Sequence, residues 1–262
     1  MPEPASVRSF SRRTFGGAVL LGGAAALVRP STAEAAVAGP RAPRLYDRVR
    51  WGAVPPVEPA VIKNLRPDLI VIHHTATENS VDLSEYRALD LSRRIQSFHM
   101  EKRGWADTGQ QFTISRGGYV MEGRNRTLGA LRARRHVIGA HTAGHNDHSV
   151  GIECEGTYVD TLPTTPLWRS LVRLCAHLCN MYRLNPYEAI VGHRNLNATA
   201  CPGDIFYSLL PHLRREVALK FIVPLSPLMR MSAALPDLGT NALPPRHDFD
   251  HGPTQALASR RR

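Results

Sequence analysis

Two short apolar runs in this sequence end in histidine. Leu69-Ile70-Val71-Ile72 leads into His73-His74-Thr75, and Ala189-Ile190-Val191-Gly192 leads into His193. Each run has the length and composition of a buried strand, so each sets an imidazole at the end of a core element. Side chains alternate along a strand, so His73 and His74 cannot both face one ligand. Eight positions after His193, Cys201 lies in the loop Thr199-Ala200-Cys201-Pro202-Gly203. Two strand-end histidines and a loop cysteine can close on one ion. Imidazole nitrogen and thiolate sulfur suit zinc, and three protein ligands leave a fourth position open. An open position is the mark of a catalytic ion, which activates water and polarises the carbonyl under attack.

The segments around these runs alternate between strand and helix patterns. After Arg44, Trp51-Gly52 and the prolines from Pro55 to Pro59 read as an ordered loop leading to the strand at Leu69. Asp82 to Arg103 has helical spacing, with Tyr86, Leu89, Ile95 and Phe98 on one side and Arg87, Arg93, Arg94 and Lys102 on the other, and Gly104 ends it. Gln111 to Ser115, Gly117-Gly118 and Tyr119 to Met121 predict a β-hairpin. Asn125 to Val137 is arginine-rich and aperiodic, which predicts a surface loop, and Val137 to His141 a short strand. Ser149 to Glu155 alternates, with Val150, Ile152 and Cys154 on one face and Glu153 and Glu155 on the other. Thr165 to Tyr182 predicts an amphipathic helix, and a third helix capped by Asp204 runs to about Leu219. The class is α/β, as one domain over 44–222.

The ends of the chain read differently. Ser11-Arg12-Arg13-Thr14-Phe15, an uncharged segment from Gly16 to Val28, and Ala33-Glu34-Ala35 resemble a twin-arginine export signal over 1–35, with the mature chain starting near Ala36. The apolar segment falls short of the roughly 20 residues a membrane span requires. No cysteine follows to accept a lipid, so no membrane anchor is expected. Residues 36–43 are a linker by composition, and 223–262, rich in proline and ending in three arginines, predicts a disordered basic tail. The chain carries a net charge of +11, and removing residues 1–35 takes away four arginines and two glutamates, leaving +9. The arginines are scattered and no nucleic-acid motif accompanies them, which argues against nucleic acid as a partner. A monomer, extracellular or associated with the cell wall, is expected.

His73-His74-Thr75-Ala76, Gly104-Trp105-Ala106-Asp107, Glu122-Gly123-Arg124, Gly139-Ala140-His141-Thr142, Ser149-Val150-Gly151-Ile152, and Gly192-His193 through Cys201-Pro202-Gly203 occur in the order seen in peptidoglycan recognition proteins. The chain resembles that family, which shares its domain with the zinc amidases, over roughly Arg44 to Leu219. The resemblance implies a central mixed β-sheet flanked by helices, and hydrolysis of the amide joining N-acetylmuramic acid to L-alanine in a muropeptide of peptidoglycan. It makes His73, His193 and Cys201 the Zn2+ ligands and turns His74 into the core. It places Thr199 near the scissile carbonyl, where a hydroxyl steadies a developing oxyanion. His141 matches a groove-lining substrate position. Arg124 is a candidate for holding a stem-peptide carboxylate.

One position departs from the family pattern. The catalytic tyrosine of the family falls at Gln110, which has no titratable proton and is left as a substrate contact. Glu153 is similar in position to the catalytic glutamate of the wall-recycling amidases of the same superfamily, which makes it the candidate general base, with Glu155 next along the same face. The alternative is a recognition module that binds peptidoglycan without cleaving it. His99, His145 and His148 read as structural or surface residues. Cys154, Cys175 and Cys179 read as neighbours, either joined by a disulfide or present as buried thiols.

Overall fold

The computed structural model describes Pro40 and residues 42–222. The export signal over 1–35, most of the linker over 36–43 and the tail over 223–262 lie outside the described residues. In chain order the elements are β1 (Leu45–Tyr46), α1 (Arg48–Trp51), β2 (Ile62–Lys63), β3 (Leu69–His74) and α2 (Glu85–Ser97). There follow β4 (Phe112–Ile114), β5 (Val120–Glu122), α3 (Thr127–Arg132), β6 (His136–Val137), β7 (Ser149–Cys154) and α4 (Thr165–Tyr182). The last are α5 (Pro186–Ala189), β8 (Ile190–Gly192), α6 (Asp204–Ser208) and α7 (Leu210–Ile222).

Six strands form one sheet in the order β1-β5-β4-β7-β3-β8, and β2 pairs with β6 alongside. The β4–β5 hairpin is antiparallel and every other neighbouring pair of the large sheet is parallel, so the sheet is mixed, as expected. Alternation sorts its residues. Ile70 and Ile72, Val150, Ile152 and Cys154, and Phe112 and Ile114 pack with Leu167, Leu171, Leu174, Cys175 and Leu178 of α4 and with Leu213 and Val217 of α7. Each such side chain contributes about 1.5–3 kcal/mol by leaving water. The intervening Val71, His73, Gly151, Glu153 and Thr113 therefore look to the opposite face.

Helix α4 matches its expected bounds because its apolar residues recur every three or four positions, Thr164 caps it by accepting from Leu167 N, and Arg183 ends it in the left-handed region at φ 60°. Helix α2 is capped by Ser84, which accepts from Arg87 N, and runs on into a π-helical turn, Phe98–Lys102, before Gly104 at φ 65°. Its buried stripe is Ala88, Leu91, Ser92 and Ile95. Tyr86, expected on that stripe, is 73% exposed because it lies about 200° round the helix from Ala88. Arg87, expected outside, reaches inward to Glu155 instead.

Four further expectations are corrected. Trp51 closes a helical turn rather than a loop, with Gly52 in the left-handed region as its cap. The segment expected as a loop over 125–137 contains α3, whose short apolar face, Ala130 and Leu131, was too brief to show a period. The strand expected to reach His141 stops at Val137, where its pairing with β2 ends. Asp204 does not cap the last helix: Gly203 precedes it without a side-chain cap, the Asp204 carboxylate pairs with Arg194, and Leu209 divides α6 from α7. No helix among the described residues is long and apolar enough to cross a membrane.

Candidate metal centre

Strand β3 lies between β7 and β8, so its end is flanked by theirs. Ile72 is in register with Gly192, the last residue of β8, and the chain then turns tightly through His193–Asn195. This sets the His193 ring beside that of His73, centroids 4.5 Å apart. The loop that follows is tied back to the same turn, Arg194 N donating to Cys201 O at 3.0 Å, and Cys201 N donates to Thr199 Oγ1 at 3.1 Å. Cys201 Sγ comes to 3.6 Å from His73 Nδ1. One ligand atom from each of His73, His193 and Cys201 lies within 4.8 Å of the others, and all three residues are buried. Two imidazoles and a thiol at that spacing form a donor set that suits zinc.

The alternation of β3 decides between the paired histidines. His74 shares the face of Ile70 and Ile72, and its Nδ1 accepts from Tyr158 N at 3.4 Å. His73 is on the face of the cluster, with Nδ1 toward Cys201 and Nε2 3.1 Å from His141 Nδ1.

Glu153 is in register with His73 on one side and Thr113 on the other, so the three form a row across β3, β7 and β4 on the cluster's face. Glu153 is 2% exposed. Gln110 is buried at the edge of this row, where its Nε2 donates to Thr113 Oγ1 at 2.8 Å and its Oε1 meets no partner among the described residues. Thr199 is partly exposed two residues before Cys201, with its hydroxyl oriented by Cys201 N. Arg124 is half-buried and donates to Thr108 O at 3.0 Å, and its burial lowers the guanidinium from its ordinary pKa against the opposing field of Asp107. His141, expected on a groove wall, lies beneath His73 at 1% exposure. Glu155 follows β7 and is committed elsewhere: its carboxylate accepts from Arg87 Nε at 2.9 Å and Arg116 N at 2.8 Å.

The remaining histidines follow the bland expectation. His99 stacks on Trp105 at 4.5 Å and accepts from Gly109 N at 3.2 Å, which holds the entry to β4. His145 and His148 form a surface chain to Asp68. Cys154, Cys175 and Cys179 are free and buried. The sequence reading missed Asp107, fully buried, which accepts from Arg48 Nη2, Gln96 Nε2, Asn125 N and Asn125 Nδ2 at 2.8–3.1 Å. An aspartate at a loop start gives no local signal for such a role, because its four donors come from three distant segments.

Comparison with known proteins identifies the family and the fold. Residues 63–204 match the family model described as N-acetylmuramoyl-L-alanine amidase. The human N-acetylmuramoyl-L-alanine amidase is 33% identical over 181 residues, which are 67% of this chain but only 30% of the human protein. Peptidoglycan-recognition protein LB of Drosophila melanogaster is 30% identical over 200 residues, 74% of this chain and 82% of the relative. Among solved structures, wild-type Drosophila PGRP-LB superimposes with a TM-score of 0.53 at 30% identity, over 63% of this chain and 91% of that one. The structure of peptidoglycan recognition protein-LE in complex with tracheal cytotoxin gives 0.56 at 30% identity, over 64% and 92%. With more than half of its residues inside the family match, the chain belongs to the N-acetylmuramoyl-L-alanine amidase family.

Proposed function

We propose that the chain is a zinc-dependent hydrolase of the amide bond between N-acetylmuramic acid and L-alanine in peptidoglycan. The observation that carries this reading is the placement of a buried His73–His193–Cys201 donor set beside a carboxylate, Glu153, in direct register with one of its members. His73, His193 and Cys201 would hold the ion, which when bound supplies a Lewis acid for the amide carbonyl and for the attacking water. Glu153 takes a proton from that water as its oxygen bonds to the carbonyl carbon, and returns a proton to the amine nitrogen as the C–N bond breaks. The Thr199 hydroxyl donates to the oxygen that gains charge in between. Arg124 binds the substrate rather than exchanging protons with it, and Gln110, expected as a substrate contact, is buried with its Nε2 on Thr113 Oγ1 and supplies no proton either. Export through the Arg12-Arg13 signal would bring the enzyme to the wall polymer it cleaves.

A second reading is favoured by Gln110. A family tyrosine falls at this position, and a protein that lost it could retain the ion and the ligand while acting as a recognition module. Incubating the full chain with purified peptidoglycan and analysing the soluble products separates the two. Released stem peptides with a new L-alanine amino terminus are expected. Retention on peptidoglycan with no release of peptide, in a chain that carries zinc, would overturn the hydrolase in favour of the module.

A further inference from the structure

The ring of His141 lies in a space that two glycines leave for it. A Cβ on Gly139 would come to 2.5 Å from His141 Cδ2, and one on Gly151 to 2.5 Å from His141 Cγ. No side chain fits at either position with the ring in place. The ring is also oriented. Asn146 Oδ1 accepts from both His141 N and Thr142 N, at 2.7 and 2.9 Å, which fixes the backbone that carries it. Gln111 braces the surrounding walls, donating to Val137 O and accepting from Gly151 N, each at 2.7 Å.

The hydrogen bonds of the ring then set its tautomer. His141 Nε2 lies 3.2 Å from Ser149 O, a carbonyl that can only accept, so this nitrogen carries the proton. With the proton of the neutral ring on Nε2, Nδ1 is the acceptor, and it faces His73 Nε2 at 3.1 Å and Thr142 Oγ1 at 2.9 Å. Thr142 Oγ1 is itself 3.4 Å from His73 Nε2, a second acceptor on the same side.

We propose that His141 is a positioning residue that holds His73 as its Nε2–H tautomer, so that the Nδ1 lone pair faces His193 and Cys201. The chain of donation runs from His73 Nε2–H to His141 Nδ1, and from His141 Nε2–H to Ser149 O. A histidine that ligates a metal through one nitrogen is commonly fixed by a bond from the other, and removing that partner typically costs about 10–100-fold in metal affinity. This inference deepens the metal reading above and rests on it, since a fixed tautomer matters to zinc only if His73 is a ligand. It also accounts for Gly139 and Gly151, which the reaction itself does not use.

Two measurements test it. Long-range 15N–1H correlation spectra of the full chain without metal report each histidine tautomer directly and need no variant. Both His73 and His141 are expected in the Nε2–H form, and His73 found in the Nδ1–H form would overturn the proposal. Zinc affinity is then measured by competition with a chromogenic chelator. His141→Leu, which fills the space but accepts nothing, is expected to weaken zinc by 10–100-fold. His141→Asn, whose amide oxygen stands as many bonds from Cβ as Nδ1 does, is expected to recover most of that loss, and Gly151→Ala, which displaces the ring, to behave like His141→Leu. Affinity unchanged in His141→Leu, or equally reduced in His141→Leu and His141→Asn, would refute the positioning role. A wild type in the expected tautomer that binds no zinc would refute the metal reading instead.

Discussion

Glu153 stands in direct register with His73 on the adjacent parallel strand, so a carboxylate and a candidate metal ligand share one face of the sheet at neighbouring positions. Strand spacing is about 4.8 Å, close enough for both side chains to meet one small molecule. Glu155, two residues on, carries the same functional group but spends it on Arg87 and on the backbone of Arg116. Of the two glutamates, only Glu155 is committed to holding Arg87 and the Arg116 backbone.

Glu153→Gln is expected to lower turnover of a muropeptide by about 10²- to 10⁴-fold while zinc content stays at the wild-type level, because only the proton transfer is removed. Glu155→Gln is expected to keep turnover in the folded fraction and to lower stability instead. Kinetics and metal content measured on both variants decide it, and an unimpaired Glu153→Gln in an active protein excludes Glu153 as the base.

Removing the ion is expected to abolish hydrolysis without unfolding the domain. The apolar core lies on the opposite face of the sheet from His73, His193 and Cys201, so its packing does not depend on what they hold. Chelation followed by zinc addition restores activity on this account, with the near-ultraviolet circular dichroism little changed throughout. Cys201→Ser is expected to lose most of its zinc, and full retention would place the metal elsewhere.

Asp107→Ala is expected to cost roughly 3–5 kcal/mol in denaturant unfolding, the range for breaking a buried charge pair. Asp107 is fully buried, and Arg48, only 13% exposed in its side chain, would lose its carboxylate partner. Loss of the Gln96 and Asn125 bonds would loosen the entry to β4, so activity falls with stability. A change below about 1 kcal/mol, the scale of an exposed pair, would remove Asp107 from this role.

Cys154, Cys175 and Cys179 are expected to resist alkylation in the native chain and to react once it is unfolded. Burial drives their thiols away from the reactive thiolate, that of Cys179 up to about 12. Mass spectrometry after iodoacetamide treatment counts the labelled sites. Labelling of any of the three in folded protein would contradict their place in the core.

Much of this protein is decided locally. Alternation in Leu69–His74 and Ser149–Cys154 fixes which residues share a face, and the spacing of leucines from Thr165 to Tyr182 fixes a helix and its buried side. These are short-range properties, so the order of motifs through His73, His193 and Cys201 is enough to point to the family and to a candidate donor set. What the sequence alone left undecided depends on contacts between distant segments. Only the register of β3 against β7 brings Glu153 to His73, only β6 and the loop after it carry His141 beneath His73 rather than onto an open wall, and only four donors from three segments make Asp107 a hub. Arg87 turned inward for the same reason: a buried carboxylate at Glu155, 68 residues away, outweighs the helix's own preference for placing charge in water.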